Sequence, residues 1–192
     1  MVPSVDEVMT DGRTPRWSVE EVEKLRIVRE NLREDLAGQT PFPEVVGDRK
    51  LIRMIRAYPG DLERSIDGMR RFLKWRRKYN VDRIRNHIAF GDGNQPSKFA
   101  HAEVVESIAP AIICDPTVRD ANGFPIGLET YQFKPKDVFD KITIDEYSMY
   151  LVYNMEYKAM MLEQLSAIRE AELLVQYDGN PPPNDRGGYG QV

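Results

Sequence analysis

The sequence predicts an α-rich α/β protein: a helical bundle over residues 17–90, then a second unit over 97–192 in which a short hairpin precedes one long helix. Three observations carry this reading. From Trp17 to Phe90, apolar residues recur three and four apart in runs that start at capping residues and stop at Gly or Pro. Asn122 and Gly123 form the strongest short hairpin signal, because both tolerate positive φ. After Thr143 no Pro or Gly interrupts the chain until Gly179.

Residues 1–16 hold Pro3, Gly12 and Pro15 without an apolar period and read as a mobile lead-in. In "WSVEEVEKLRIVRENLREDLAG", Ser18 and Glu21 make a capping box, and Trp17 with Val22 suits a hydrophobic staple. Val22, Leu25, Val28, Leu32 and Leu36 share the buried face, and Gly38 ends the helix. Pro41 and Pro43 keep the next residues extended. A short helix follows in "DRKLIRMIRAYPG", with Asp48 as cap and Leu51, Ile52 and Ile55 inward. Asp61 caps a third helix, whose apolar stripe is Leu62, Ile66, Met69, Phe72, Leu73 and Tyr79. "VDRIRNHI" continues it or forms another short turn, and "GDGNQP" is the break between units. Beyond it the pattern predicts a helix from Ser97 to about Ala109. A strand before Asp120 pairs with one from Pro125 to Gln132. A second capping box, Thr143 with Glu146, opens a helix of about 25 residues from Ile144.

Composition narrows the classes. The 192 residues carry a net charge of −4, which does not fit a nucleic-acid polycation, and no nucleic-acid partner is expected. The single cysteine, Cys114, excludes an internal disulfide and reads as a buried small side chain. No apolar run approaches a membrane span, and no basic-then-apolar leader is visible, so a cytoplasmic protein is expected. Charge is unevenly spread. Residues 48–86 carry 13 Lys or Arg against 5 Asp or Glu, which reads either as solvated helix surface or as an anion-binding face.

Residues that would carry covalent chemistry are missing. His87 and His101 lie on separate elements without metal-ligand spacing, so no metal or cofactor is expected. There is no phosphate-binding loop, no dinucleotide fingerprint, no nucleophile elbow and no calcium loop. The reading is therefore non-enzymatic. The long helix is instead crowded with Tyr, Met and Leu over more than half its circumference. Such a helix is either the centre of a core or the wall of an apolar cavity.

The order of parts resembles the CRAL-TRIO lipid-binding family. In "LIRMIRAYPGDLERSIDGMRRFLKWRRKYNVDRI", Leu51, Arg53, Ile55, Arg56 and Ala57, then Leu62, Ile66, Leu73, Trp75 and Arg76, match the family's N-terminal helical module. "DANGFPIGLETY" is similar to its Asp-x-x-Gly-Arg-Pro-Val hairpin, with Phe124 where a basic residue is common. "YSMYLVYNMEY" falls on its long helix, and "GGYGQV" on the opening of its central strand. The resemblance implies a helical module joined to an α/β lobe that encloses one hydrophobic ligand. Relatives hold phosphatidylinositol, phosphatidylcholine, tocopherol or retinaldehyde, and some carry lipid between membranes. It also implies that the lobe is incomplete at Val192, with the closing strands and gating helix beyond it.

Within that frame Ile126 and Leu128 of the hairpin and Tyr150, Tyr153, Asn154 and Tyr157 of the long helix are the expected lipid contacts, the last four sharing one helix face. Asn154 either reads a ligand's polar end or bonds a neighbouring backbone group. The alternative function is a scaffold that docks an acidic partner or an anionic membrane surface through Arg70, Arg71, Lys74, Arg77 and Lys78.

Overall fold

The computed structural model describes residues 17–91, 95–108, 118–121, 126 and 134–176, with side chains as far as residue 169. The first helix, α1 (Val19–Asn31), begins at the anticipated capping box. Ser18 Oγ accepts from the Glu21 amide at 3.1 Å, and Glu21 Oε2 accepts from the Ser18 amide at 2.9 Å. Leu32 interrupts the helix, and α2 (Arg33–Ala37) runs on to Gly38. Leu25, Val28 and Leu32 are fully buried, as the helical spacing predicted. Each contributes about 1.5–3 kcal/mol by leaving water.

The residues after Pro41 do not stay extended. Pro43 takes the first position of a short helix, α3 (Pro43–Val46), where its missing N–H costs nothing. Gly47 then doubles back so tightly that a Cβ there would lie 2.3 Å from the Pro43 carbonyl oxygen. Gly47, not Asp48, is the cap of α4 (Asp48–Ala57), a correction to the sequence reading. Asp48 sits in the helix's first turn, buried, and accepts from Arg29 of α1. Gly60, at φ 77, turns the chain into α5 (Leu62–Lys78), where Asp61 Oδ1 caps the Arg64 amide at 2.9 Å.

Helices α1, α4 and α5 pack around one core of Leu25, Val28, Leu32, Leu51, Ile52, Ile55, Met69 and Leu73, with Trp17 packed against it. Gly68 lets α5 approach α4 closely: a Cβ there would meet the Met54 methyl at 2.8 Å. Tyr79, placed in the apolar stripe by its spacing, is 53% exposed at the helix end. Asn80, left-handed at φ 51, starts a full ten-residue helix, α6 (Val81–Phe90), rather than a continued turn.

The expected helix from Ser97 is broken into a 3₁₀ turn (Pro96–Lys98) and α7 (Ala102–Ile108), with His101 left-handed between them at φ 63. A short α8 (Pro135–Phe139) packs on α7. The last helix, α9 (Ile144–Gln176), has 33 residues, longer than its pattern suggested, and is about 50 Å long at 1.5 Å per residue. Thr143 and Glu146 form its capping box at 2.8 and 3.2 Å. Phe99, Ala102, Val105, Val138, Ile142 and Tyr150 make a second core, while Ile84, Ile88 and Met160 join α9 to α6.

The protein is therefore predominantly helical. Among the described residues no strand forms; Arg119 makes a single bridge, and the Ile126 amide donates to the Val118 carbonyl at 3.2 Å. The predicted turn at Asn122 and Gly123, the remainder of the second strand, Cys114 and the closing "GGYGQV" lie outside the described residues. Among the described residues no helix is long and apolar enough to cross a membrane.

Candidate functional site

The inner face of α9 holds four of the six expected lipid contacts. Tyr150 and Asn154 are buried, at 2% and 5% exposure, and Tyr153 and Tyr157 are half-buried. The Tyr153 and Tyr157 rings each lie 5.6 Å from Phe99, and His87 meets the edge of Tyr153 at 6.1 Å. Tyr147 stacks beside Tyr150 at 6.4 Å. This wall is aromatic because α9 places residues 150, 153, 154 and 157 on one side. Ile126 stands apart, 43% exposed, and Leu128 lies outside the described residues.

Two polar atoms are stranded in this wall. Tyr150 Oη and Asn154 Oδ1 are both buried and neither makes a hydrogen bond of good geometry, although the Asn154 side chain lies near enough to the Tyr150 phenol to act on it. They belong to residues one helical turn apart. Burial pushes the Tyr150 phenol up, against the opposing pull of the neighbouring Asn154 side chain, so it stays protonated and can act as a donor. Leaving such a group unpaired costs about 1–3 kcal/mol. Neighbouring backbone, the simpler partner for Asn154, does not satisfy Oδ1.

On its other inner edge α9 carries carboxylates that meet the basic helices. Arg76 of α5 grips Glu156 bidentately, at 2.7 and 2.9 Å, and donates to Asp82 at 2.8 Å. Both Arg76 and Glu156 are buried. Burial pushes the Glu156 carboxyl up, against the opposing hydrogen bonds and charge of Arg76. Burial alone would lower the Arg76 guanidinium, but Glu156 and Asp82 hold it raised. One turn-pair further on, Glu163 accepts from Arg49 at 3.0 Å and from Arg53 at 3.1 Å, and Arg85 donates to buried Glu44 at 2.6 Å. These pairs escaped the sequence reading. Their only local signal is that Glu156 and Glu163 stand seven apart in a largely apolar stretch with Lys158 between them.

The five cations assigned to the anionic surface are all exposed on α5. Arg70 pairs with Asp35 at 3.0 Å. Arg70 and Arg77 also line an open polar cavity of about 470 Å³ shared with Glu30, Glu34 and Asp35. Arg71, Lys74 and Lys78 have no carboxylate partner among the described residues. No cluster of three or more metal-ligating side chains occurs among the described residues.

Family models, curated proteins and solved structures yield no significant match to the chain.

Proposed function

We propose that the chain is a non-enzymatic lipid-binding module of CRAL-TRIO type, holding one hydrophobic lipid, such as a phospholipid, against α9. In this reading the second unit is an α/β lobe. The module works in the cytoplasm with transient contact to membranes, and transfer between them is its extension.

The observation that carries the reading is the stranded pair, Tyr150 Oη and Asn154 Oδ1, in a wall of tyrosines and apolar side chains. Ligand sites are largely apolar with a few convergent polar groups. A ligand group that donates to Asn154 and accepts from Tyr150 relieves both at once, while each acyl methylene withdrawn from water adds about 0.8 kcal/mol. That pairing favours a hydroxyl, amide or protonated acid at the buried end of the lipid.

Organic extraction and mass spectrometry of natively purified protein test this. Stoichiometric lipid is expected in the wild type, and N154L is expected to lose it. N154L should also stabilise the delipidated protein by about 1–3 kcal/mol, because an unpaired amide is removed. A wild type without lipid, or an N154L variant that retains it in full, overturns the proposal.

A further inference from the structure

We infer that the outward face of α5 is a docking surface for an anionic bilayer, with Arg71, Lys74 and Lys78 as its cationic contacts and Trp75 and Tyr79 seated beside them. The structure sorts the basic residues of this region into those already neutralised and those left over. Arg49 and Arg53 meet Glu163, Arg56 meets Glu21, Arg70 meets Asp35, Arg76 meets Glu156 and Asp82, and Arg85 meets Glu44. Lys50 is half-buried over the Phe72 ring, and Arg77 opens onto the acidic cavity. Exposed Arg64 lies over the Tyr58 ring and exposed Arg83 belongs to α6, so Arg71, Lys74 and Lys78 are the cluster left on α5, three and four residues apart on one side of a 17-residue helix. Asp67, one turn before Arg71, lies 3.8 Å from Arg70.

Like charges at this spacing destabilise a helix unless something opposite faces them. The helix dipole accounts for Lys78, in the last turn, but not for Arg71 or Lys74 further back. A second observation points to a bilayer. An aromatic row borders the cations: Phe72 stacks on Trp75 at 6.3 Å, and Trp75 meets Tyr79 at 6.1 Å. Tyr79 is 53% exposed, with the Lys78 ammonium 4.9 Å from its ring. Amphipathic rings next to flexible cations suit the headgroup layer, where Trp and Tyr are enriched and basic side chains meet anionic lipid. This inference does not rest on the lipid-pocket reading: a chain with no internal ligand docks in the same way.

Co-sedimentation of the full chain with vesicles of phosphatidylcholine, alone or mixed with phosphatidylserine, tests it. Binding is expected to the mixed vesicles only, and to fall steeply with added salt. R71Q/K74Q/K78Q should weaken it by about 100-fold, from roughly a fivefold effect for each of three cations near the surface. Y79S should weaken vesicle binding several-fold while leaving binding to heparin, a polyanion without an interface, unchanged. All four residues are solvent-facing, so unchanged circular dichroism is expected to accompany these losses. Equal binding to neutral vesicles, wild-type affinity in the triple variant, or tighter binding to polyglutamate than to the mixed vesicles overturns the inference. The last result would identify an acidic protein as the partner.

Discussion

Replacing Arg76 with Ala strands the Glu156 carboxylate inside the interface between α5 and α9. Glu156 is 6% exposed and Arg76 2%, so neither can turn to water. Their two hydrogen bonds, at 2.7 and 2.9 Å, place the charges about 4 Å apart, an attraction of about 4 kcal/mol at an effective dielectric constant near 20. Desolvation of both ions offsets much of that, so the intact pair adds little net stability. Breaking it is different: one buried charge loses its partner, and the expected cost of R76A or E156A is about 3–5 kcal/mol. Asp82, one-third exposed, rehydrates and adds little. The double variant R76M/E156M removes both charges and refills the space. It should return to within about 1 kcal/mol of wild type. Urea unfolding followed by circular dichroism measures all four proteins. For a slope near 2 kcal/mol/M, the single variants should shift the midpoint by about 2 M. A single-variant cost below about 1 kcal/mol, or a double variant that costs the sum of the singles, refutes the buried-pair argument.

Other expectations follow from individual sites. Leu73→Ala, at a position with 0% exposure, should cost about 2–5 kcal/mol in the same assay, while Phe90→Ser, at 81% exposure, should change stability by less than about 0.5 kcal/mol. Gly68→Val should cost about 1–3 kcal/mol by overpacking, because even a Cβ there presses on Met54 and Tyr58. Hydrogen bonds from Arg56 hold the Glu21 carboxyl below its ordinary value of 4.5, so ionised Glu21 favours the folded state. That stabilisation is fully present above pH 4.5 and is lost as pH falls through the depressed folded value. E21Q should therefore be less stable at neutral pH and should show a flatter acid limb in a pH series of melting temperatures.

The same charges that divide the sequence hold the structure together. The excess of Lys and Arg over residues 48–86 reads as a separate basic unit, yet much of it is spent internally. Arg49, Arg53 and Arg76 reach across 80 to 114 residues to Glu156 and Glu163 of α9. Buried pairs of this kind add little energy, but they penalise any register of α9 that leaves a carboxylate unmatched. Apolar contacts of Ile84, Ile88 and Met160 then supply the adhesion.

Local patterns in the sequence determined α1, α4, α5 and the start of α9, most of their buried positions and three of their caps: Ser18 with Glu21, Asp61, and Thr143 with Glu146. These depend on neighbours within four residues, which the sequence displays directly. Asp48 misled because its carboxylate is claimed from 19 residues away by Arg29, and the tight turn at Gly47 takes over the cap. The candidate site was legible as a face, residues 150, 153, 154 and 157, since helical period alone aligns them. That Asn154 and Tyr150 would be left without partners was not legible. Satisfaction of a polar atom depends on every group the fold brings near it. Tertiary structure alone also decided which cations are free: Arg71, Lys74 and Lys78 lie on the other side of α5 from Arg76, and the packing of α1, α4 and α6 against that helix, with Glu156 of α9 over Arg76, makes one side interior and the other surface.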